Sequence, residues 1–170
     1  MEKQKMNSAE EVKKSVQRII DYQIDSLNFA KNRKFELDQY WSLTDFEVEF
    51  EVGCVGIMKC KTTFPKESEN GEIDHEGSRI VHGGAIASMM DIIPFFALRA
   101  FEYQRLLSLV LETEYLRPVP SSITVQIISK VRRISESNAF IDTKIIHPIS
   151  QQILVKSSII LAFGNFTPKL

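Results

Sequence analysis

From Ala85 to Phe101 the chain is apolar almost all the way round a helix, with only Ser88, Asp91 and Arg99 polar. A surface helix shows one apolar stripe, whereas a helix that is apolar on every side has to be surrounded. This one is entered through Val81-His82-Gly83-Gly84. Two residues without a Cβ let the backbone turn tightly there and let another molecule come close. The first turn of a helix carries free N–H groups and the positive end of the dipole, which suits an anion or a polarised carbonyl oxygen. Asp91 lies two turns further in, and a carboxylate in apolar surroundings is costly unless something uses it. The stretch reads as a buried helix with a functional end, and the rest of the chain as its wrapping.

Upstream, Ser8-Ala9-Glu10-Glu11 has capping-box spacing, and Val12, Val16, Ile19, Ile20 and Ile24 recur at helical intervals. An amphipathic helix over about 9–24 is expected. Between 25 and 43, Leu27, Phe29, Leu37, Tyr40 and Trp41 anchor either a connection or a short second helix. At Phe46 the period changes to two: Phe46, Val48, Phe50 and Val52 alternate with Glu47, Glu49 and Glu51. Gly53 ends that strand, and 55–62 reads as its hairpin partner with Lys59 and Lys61 outward. Residues 65–80 form a long polar connection, of a length that often serves as a lid or binding loop. Pro94 lacks the N–H that its helix turn needs and is expected to kink the central helix.

Four strand-like runs follow, at about 106–117, 122–134, 138–147 and 152–164, separated by short links that favour antiparallel neighbours. The expected fold is α+β: a curved antiparallel sheet of about five to six strands wrapped around the long central helix, with an N-terminal helix. The chain divides into an N-terminal helical extension, 1–44, and the sheet-and-helix domain, 45–170.

At 170 residues, with a net charge of −1, 44% apolar and 25% charged residues, the chain has material for one ordinary core and no basic face for nucleic acid. It has no run of about 18 uninterrupted apolar residues to span a membrane and no signal-peptide pattern at its start. Cys54 and Cys60 make neither a metal quartet nor a disulfide framework, and His75 and His147 show no ligand spacing, so no metal is assigned. A cytoplasmic location follows by default.

The block 82–91, His82-Gly83-Gly84-Ala85-Ile86-Ala87-Ser88-Met89-Met90-Asp91, resembles the His-Gly-Gly…Asp signature of hotdog-fold acyl-CoA thioesterases. The similarity is to the branch that includes phenylacetyl-CoA thioesterases and the mammalian thioesterase-superfamily members. Glu112-Thr113-Glu114-Tyr115-Leu116-Arg117-Pro118-Val119-Pro120 resembles that family's Asn-x-Asn-Tyr-x-Arg-Pro-x-Pro strand, and 156–163 its last strand. The resemblance implies a hotdog fold and hydrolysis of acyl-CoA thioesters to free acid and coenzyme A. Coenzyme A would enter only as part of the substrate, with no separate cofactor. It implies that the Gly84 N–H holds the substrate carbonyl, that Asp91 is general base or nucleophile, and that Ser108 helps beside it. His82 would shape the turn or polarise the carbonyl. Gly83, Glu76, Glu114 and Leu116 fall at substrate-facing places of the family pattern. Two of these depart from it, since Glu76 and Glu114 stand where many relatives carry Asn. Lys130, Arg132 and Arg133 are candidates for coenzyme A phosphates, against the plainer reading of a solvated surface.

Helix geometry supports a shared site. Gly84 and Asp91 are seven residues apart, on nearly one face but about 10 Å apart along the axis. A carbonyl at Gly84 therefore cannot meet Asp91 of the same chain. An antiparallel partner helix brings its own Asp91 alongside, so a homodimer, alone or as a dimer of dimers, has two equal sites. On a regular strand, Glu112 and Glu114 share a face with Ser108. Two rival functions are a non-catalytic acyl-CoA binding or regulatory protein and a hydratase built on Asp142 and His147. The latter pair has the right spacing but lacks the Asn-Pro of the hydratase pattern between its members.

Overall fold

The apolar helix forms where its pattern demands, and the period-two stretch forms a strand over its first half. The computed structural model describes residues 9–33, 43–75, 77–101, 106–121 and 123–163. Strand β1 (Thr44–Glu49) pairs antiparallel with β2 (Gly56–Thr63), Glu47 opposite Lys59. Val48, Met58 and Cys60 point into the core, while Lys59 and Lys61 point out to meet Glu49 and Asp45. The strand ends before its pattern does: Val52 is 78% exposed in the turn at Gly53, and Phe50 leaves the sheet to pack edge-on against Phe101 at 5.5 Å. Gly56 makes that packing possible, because a Cβ there would lie 2.2 Å from the Phe101 ring. Burial pushes the Cys60 thiol up to about 12.

Helix α1 runs Ala9–Arg33, further than the 9–24 expected from its apolar period. Ile19 is fully buried, Tyr22 meets Phe96 edge-on at 5.0 Å, and the Arg99 guanidinium lies 4.6 Å over the Tyr22 ring. Ser8, Leu37, Tyr40 and Trp41 lie outside the described residues. The polar connection 65–80 is not a plain loop. A single 3-10 turn at Lys66–Ser68 leads into β3 (Glu69–Ile73) and β4 (Arg79–Val81), which form a small antiparallel sheet of their own. Strand β3 is mostly exposed and polar and β4 is only three residues long, so no alternation announces them.

The central helix, α2, spans Gly83–Ala100 and continues through Pro94. Met89, Met90, Ile93, Ala97 and Leu98 are fully buried, each large side chain contributing about 1.5–3 kcal/mol of burial. In length and hydropathy α2 could cross a membrane, but 56% of it is buried inside this fold as the core helix. Strands β5 (Leu106–Tyr115), β6 (Thr124–Ile134), β7 (Asn138–Ile146) and β8 (Ile153–Phe163) complete a six-stranded antiparallel sheet in the order β1-β2-β6-β7-β8-β5. Consecutive strands β6, β7 and β8 are neighbours, as short links require. Strand β5 is not beside β6: it pairs with β8 at the far edge, and its link to β6 crosses back past Ile80 and Arg79. The expected α+β architecture, a curved antiparallel sheet around one helix, is the one observed.

Candidate active site

His82 caps α2. Its backbone is extended, its N–H donates to the Ser68 carbonyl at 2.7 Å, and its Nδ1 accepts the Gly84 N–H at 2.9 Å. An accepting Nδ1 leaves the proton of the neutral ring on Nε2. The N–H that the sequence offers to a carbonyl oxygen is thus directed at an exposed ring nitrogen, which holds the acceptor place. On the other side of the same peptide unit, the Tyr115 hydroxyl donates to the Gly83 carbonyl at 2.9 Å.

Two turns along, Asp91 Oδ1 accepts the Ser108 hydroxyl at 2.6 Å, the short distance of a charge-assisted bond. Asp91 is half-buried, on a stripe of α2 with Gly84, Ser88 and Phe95 that the sheet leaves partly open. Ala85, Ile86, Met89, Met90 and Ile93 hold the opposite side in the core. The open stripe faces β5, the edge strand. Leu107, Leu109 and Val110 on β5 are 51%, 53% and 52% exposed, an apolar edge with its outer backbone groups unpaired by any described strand.

A β-bulge at Leu109 decides which β5 side chains join the site. Ser108 pairs with Leu161 but Val110 pairs with Ile160, so one residue is extra and the facing switches. Ser108 therefore shares the inner face with Leu111, Thr113 and Tyr115, across from Ile159, Ser157 and Val155. The expectation that Glu112 and Glu114 share a face with Ser108 is corrected: they lie opposite Ser158 and Lys156 on the outer face. The same bulge explains why Tyr115 is missed by alternation, seven residues from Ser108 and hence on the wrong face of a regular strand. Its only signal is its place in the Glu112–Pro120 segment that resembles the family strand.

The remaining candidates scatter. Glu114 pairs with Lys156 at 3.3 Å, Arg132 with Asp142 at 2.6 Å, and both acids and Arg132 line an outer-face hollow of about 260 Å³. Arg133 lies 5.3 Å over the Phe140 ring. Leu116 donates its backbone N–H to Leu154, with its side chain 42% exposed. Glu76 lies outside the described residues. Asp142 also accepts from Ser158, and His147 Nδ1 accepts the N–H groups of Ile149 and Ser150. Each of these two is thus engaged locally, one on the outer face and one in a turn.

A six-stranded antiparallel sheet wrapped on one long helix is the hotdog fold, and known proteins carry it with the same layout. Residues 79–152 match the model of the thioesterase superfamily. No curated protein matches the chain by sequence. Among solved structures, the Escherichia coli PaaI protein from the phenylacetic acid degradation operon superposes with a TM-score of 0.64 at 16% identity, over 90% of this chain and 95% of its own. Thioesterase superfamily member 2 from Mus musculus gives 0.61 at 15%, over 87% and 96%. A hypothetical thioesterase from Streptococcus pneumoniae, solved with coenzyme A, gives 0.57 at 14%, over 79% and 96%. That last protein has also been solved with an Asp replaced by Ala and with a Thr replaced by Ala. The resemblance to hotdog-fold thioesterases is thus shown, in sequence by the matched segment and in fold by the whole sheet and its helix.

Proposed function

We propose that the protein hydrolyses acyl-CoA thioesters at a site shared between two subunits. The observation that carries this reading is the Ser108–Asp91 hydrogen bond of 2.6 Å, on the open stripe of α2 that begins at Gly84, inside the segment matching the thioesterase superfamily. The coenzyme A bound to the Streptococcus pneumoniae relative, and its Asp and Thr variants, support the substrate class and an acid–hydroxyl pair.

In this reading the thioester carbonyl takes the place of His82 Nδ1 before the Gly84 N–H. The helix dipole and that N–H stabilise the oxyanion as the carbonyl carbon becomes tetrahedral. Asp91 of the partner subunit accepts a proton from water, whose oxygen attacks the carbonyl carbon. Ser108, its own proton held by Asp91, accepts the water's other hydrogen and orients it. Collapse re-forms the carbonyl and breaks the C–S bond, and the proton taken by the carboxylate returns to the departing sulfur. Free acid and coenzyme A result. Attack by the carboxylate itself uses the same groups, with water then cleaving the anhydride.

Pairing of β5 with its two-fold mate would cover Leu107, Leu109 and Val110, join two six-stranded sheets, and set each Gly84 near the other chain's Asp91. A cytoplasmic setting and a dimer, or dimer of dimers, belong to this proposal. A panel of acyl-CoAs followed by release of free thiol tests it. Turnover by the wild type and its loss in Asp91→Ala support hydrolysis, whereas tight binding of coenzyme A without turnover points to the non-catalytic binder.

A further inference from the structure

The peptide unit joining Gly83 to Gly84 is gripped at both polar ends. Its N–H meets His82 Nδ1 at 2.9 Å and its C=O receives the Tyr115 hydroxyl at 2.9 Å. The Tyr115 ring also lies flush with the turn, its atoms 3.7–3.9 Å from where a Cβ on Gly83 would stand. Tyr115 is 52% exposed, so burial does not explain its place; the bond to Gly83 does. Through the bulge at Leu109, one strand presents Ser108 to Asp91 and Tyr115 to Gly83. The acid and the carbonyl-binding turn are therefore indexed to the same edge strand.

We propose that Tyr115 is a positioning residue for the thioester carbonyl, acting through the Gly83–Gly84 peptide; this rests on the hydrolase reading above. The bond has two consequences. It fixes the plane of the peptide, and so the direction of the Gly84 N–H, against the swing that two adjacent glycines allow. It also draws electron density toward the Gly83 oxygen, which leaves the Gly84 N–H a stronger donor in the manner of any hydrogen-bonded amide chain. When the carbonyl displaces His82, Tyr115 is the contact that keeps the donor aimed.

Tyr115→Phe keeps the ring and removes only the hydroxyl. The expected result is a kcat about 10-fold lower, less than the 10²–10³ for loss of the donor itself, with KM within twofold and the melting temperature little changed. In parallel, the Gly84 amide proton resonance moves upfield. A hydroxyl that merely staples strand to helix lowers the melting temperature and leaves kcat alone, and that outcome overturns the assignment. So does a Gly84 resonance that does not move. A wild type that releases no thiol from any acyl-CoA overturns the hydrolase reading, and the Tyr115 role with it; an active wild type with an equally active Tyr115→Phe overturns only the latter.

Discussion

Replacing Gly84 by Ala separates what the fold asks of this position from what the site asks. A Cβ there stands 3.0 Å from His82 Nδ1 and 3.2 Å from its Cε1, so the ring has to move by a few tenths of an ångström and its cap weakens. Loss of an N-cap costs about 1 kcal/mol. Ala in place of Gly returns about 0.8–1 kcal/mol of helix propensity. The two nearly cancel, and the melting temperature is expected to stay within a few degrees. Activity is different. The acceptor bound to the Gly84 N–H sits 3.0 Å from that methyl carbon, and a carbonyl oxygen in the same place meets the same crowding. Loss of the donor to substrate lowers kcat/KM by about 10²–10³. Gly83→Ala is the control: its Cβ meets Tyr115 at an ordinary 3.7–3.9 Å, so activity is expected within a few-fold of wild type. Thiol-release kinetics and thermal melts on the two variants suffice. A fully active Gly84→Ala, or a Gly83→Ala that is the more damaged of the two, refutes the reasoning.

Ser108→Ala removes one hydrogen bond to a carboxylate, worth about 1.5–3 kcal/mol, so kcat is expected to fall about 10- to 100-fold in the same assay without loss of fold. Glu114→Gln and Arg132→Gln lie on the outer face in exposed ion pairs, worth at most about 1 kcal/mol each; kcat is expected to stay within twofold of wild type, and a large loss would restore them to the site. Burial raises the Cys60 thiol from 9.0 to about 12. The folded state therefore keeps a proton that the unfolded chain releases above its own value, and stability falls as pH rises from about 9 toward about 12, by on the order of 4 kcal/mol at 1.36 kcal/mol per unit. Denaturant melts across that range should show a flatter decline in Cys60→Ala. Among the described residues, the buried hydroxyls of Thr113 and Ser157 have no hydrogen-bond partner; Ser157→Ala is expected to leave the melting temperature unchanged or raise it.

What could be read from sequence, and what could not, follows from how local each signal is. The apolar helix behind His82-Gly83-Gly84 and the Phe46–Val52 alternation are set by neighbouring residues; the helix formed where expected, and the strand formed but stopped at Glu49, short of Phe50 and Val52. The Asp91–Ser108 contact joins residues 17 apart, and the motif resemblance, not the periodicity, brought them together. The bulge at Leu109 was invisible because Leu107-Ser108-Leu109-Val110 contains no glycine or proline to signal one; it moved Glu112 and Glu114 off the site face and put Tyr115 on it. The small sheet of β3 and β4 was hidden for a related reason, since an exposed five-residue strand and a three-residue one carry no readable alternation. The placement of β5 at the edge beside β8 depends on pairing between distant segments, which link length alone does not specify.

Mixing two inactive variants tests the shared site most directly. Gly84→Ala lacks a usable donor and Asp91→Asn lacks the acid, yet a mixed dimer would carry one site with both groups intact. After unfolding and refolding together at equal amounts, half the dimers are mixed and each has one good site of two. Thiol release should therefore recover to about a quarter of the wild-type rate, as two-fold symmetry requires. A mixture no more active than the separate variants contradicts a site built from two chains.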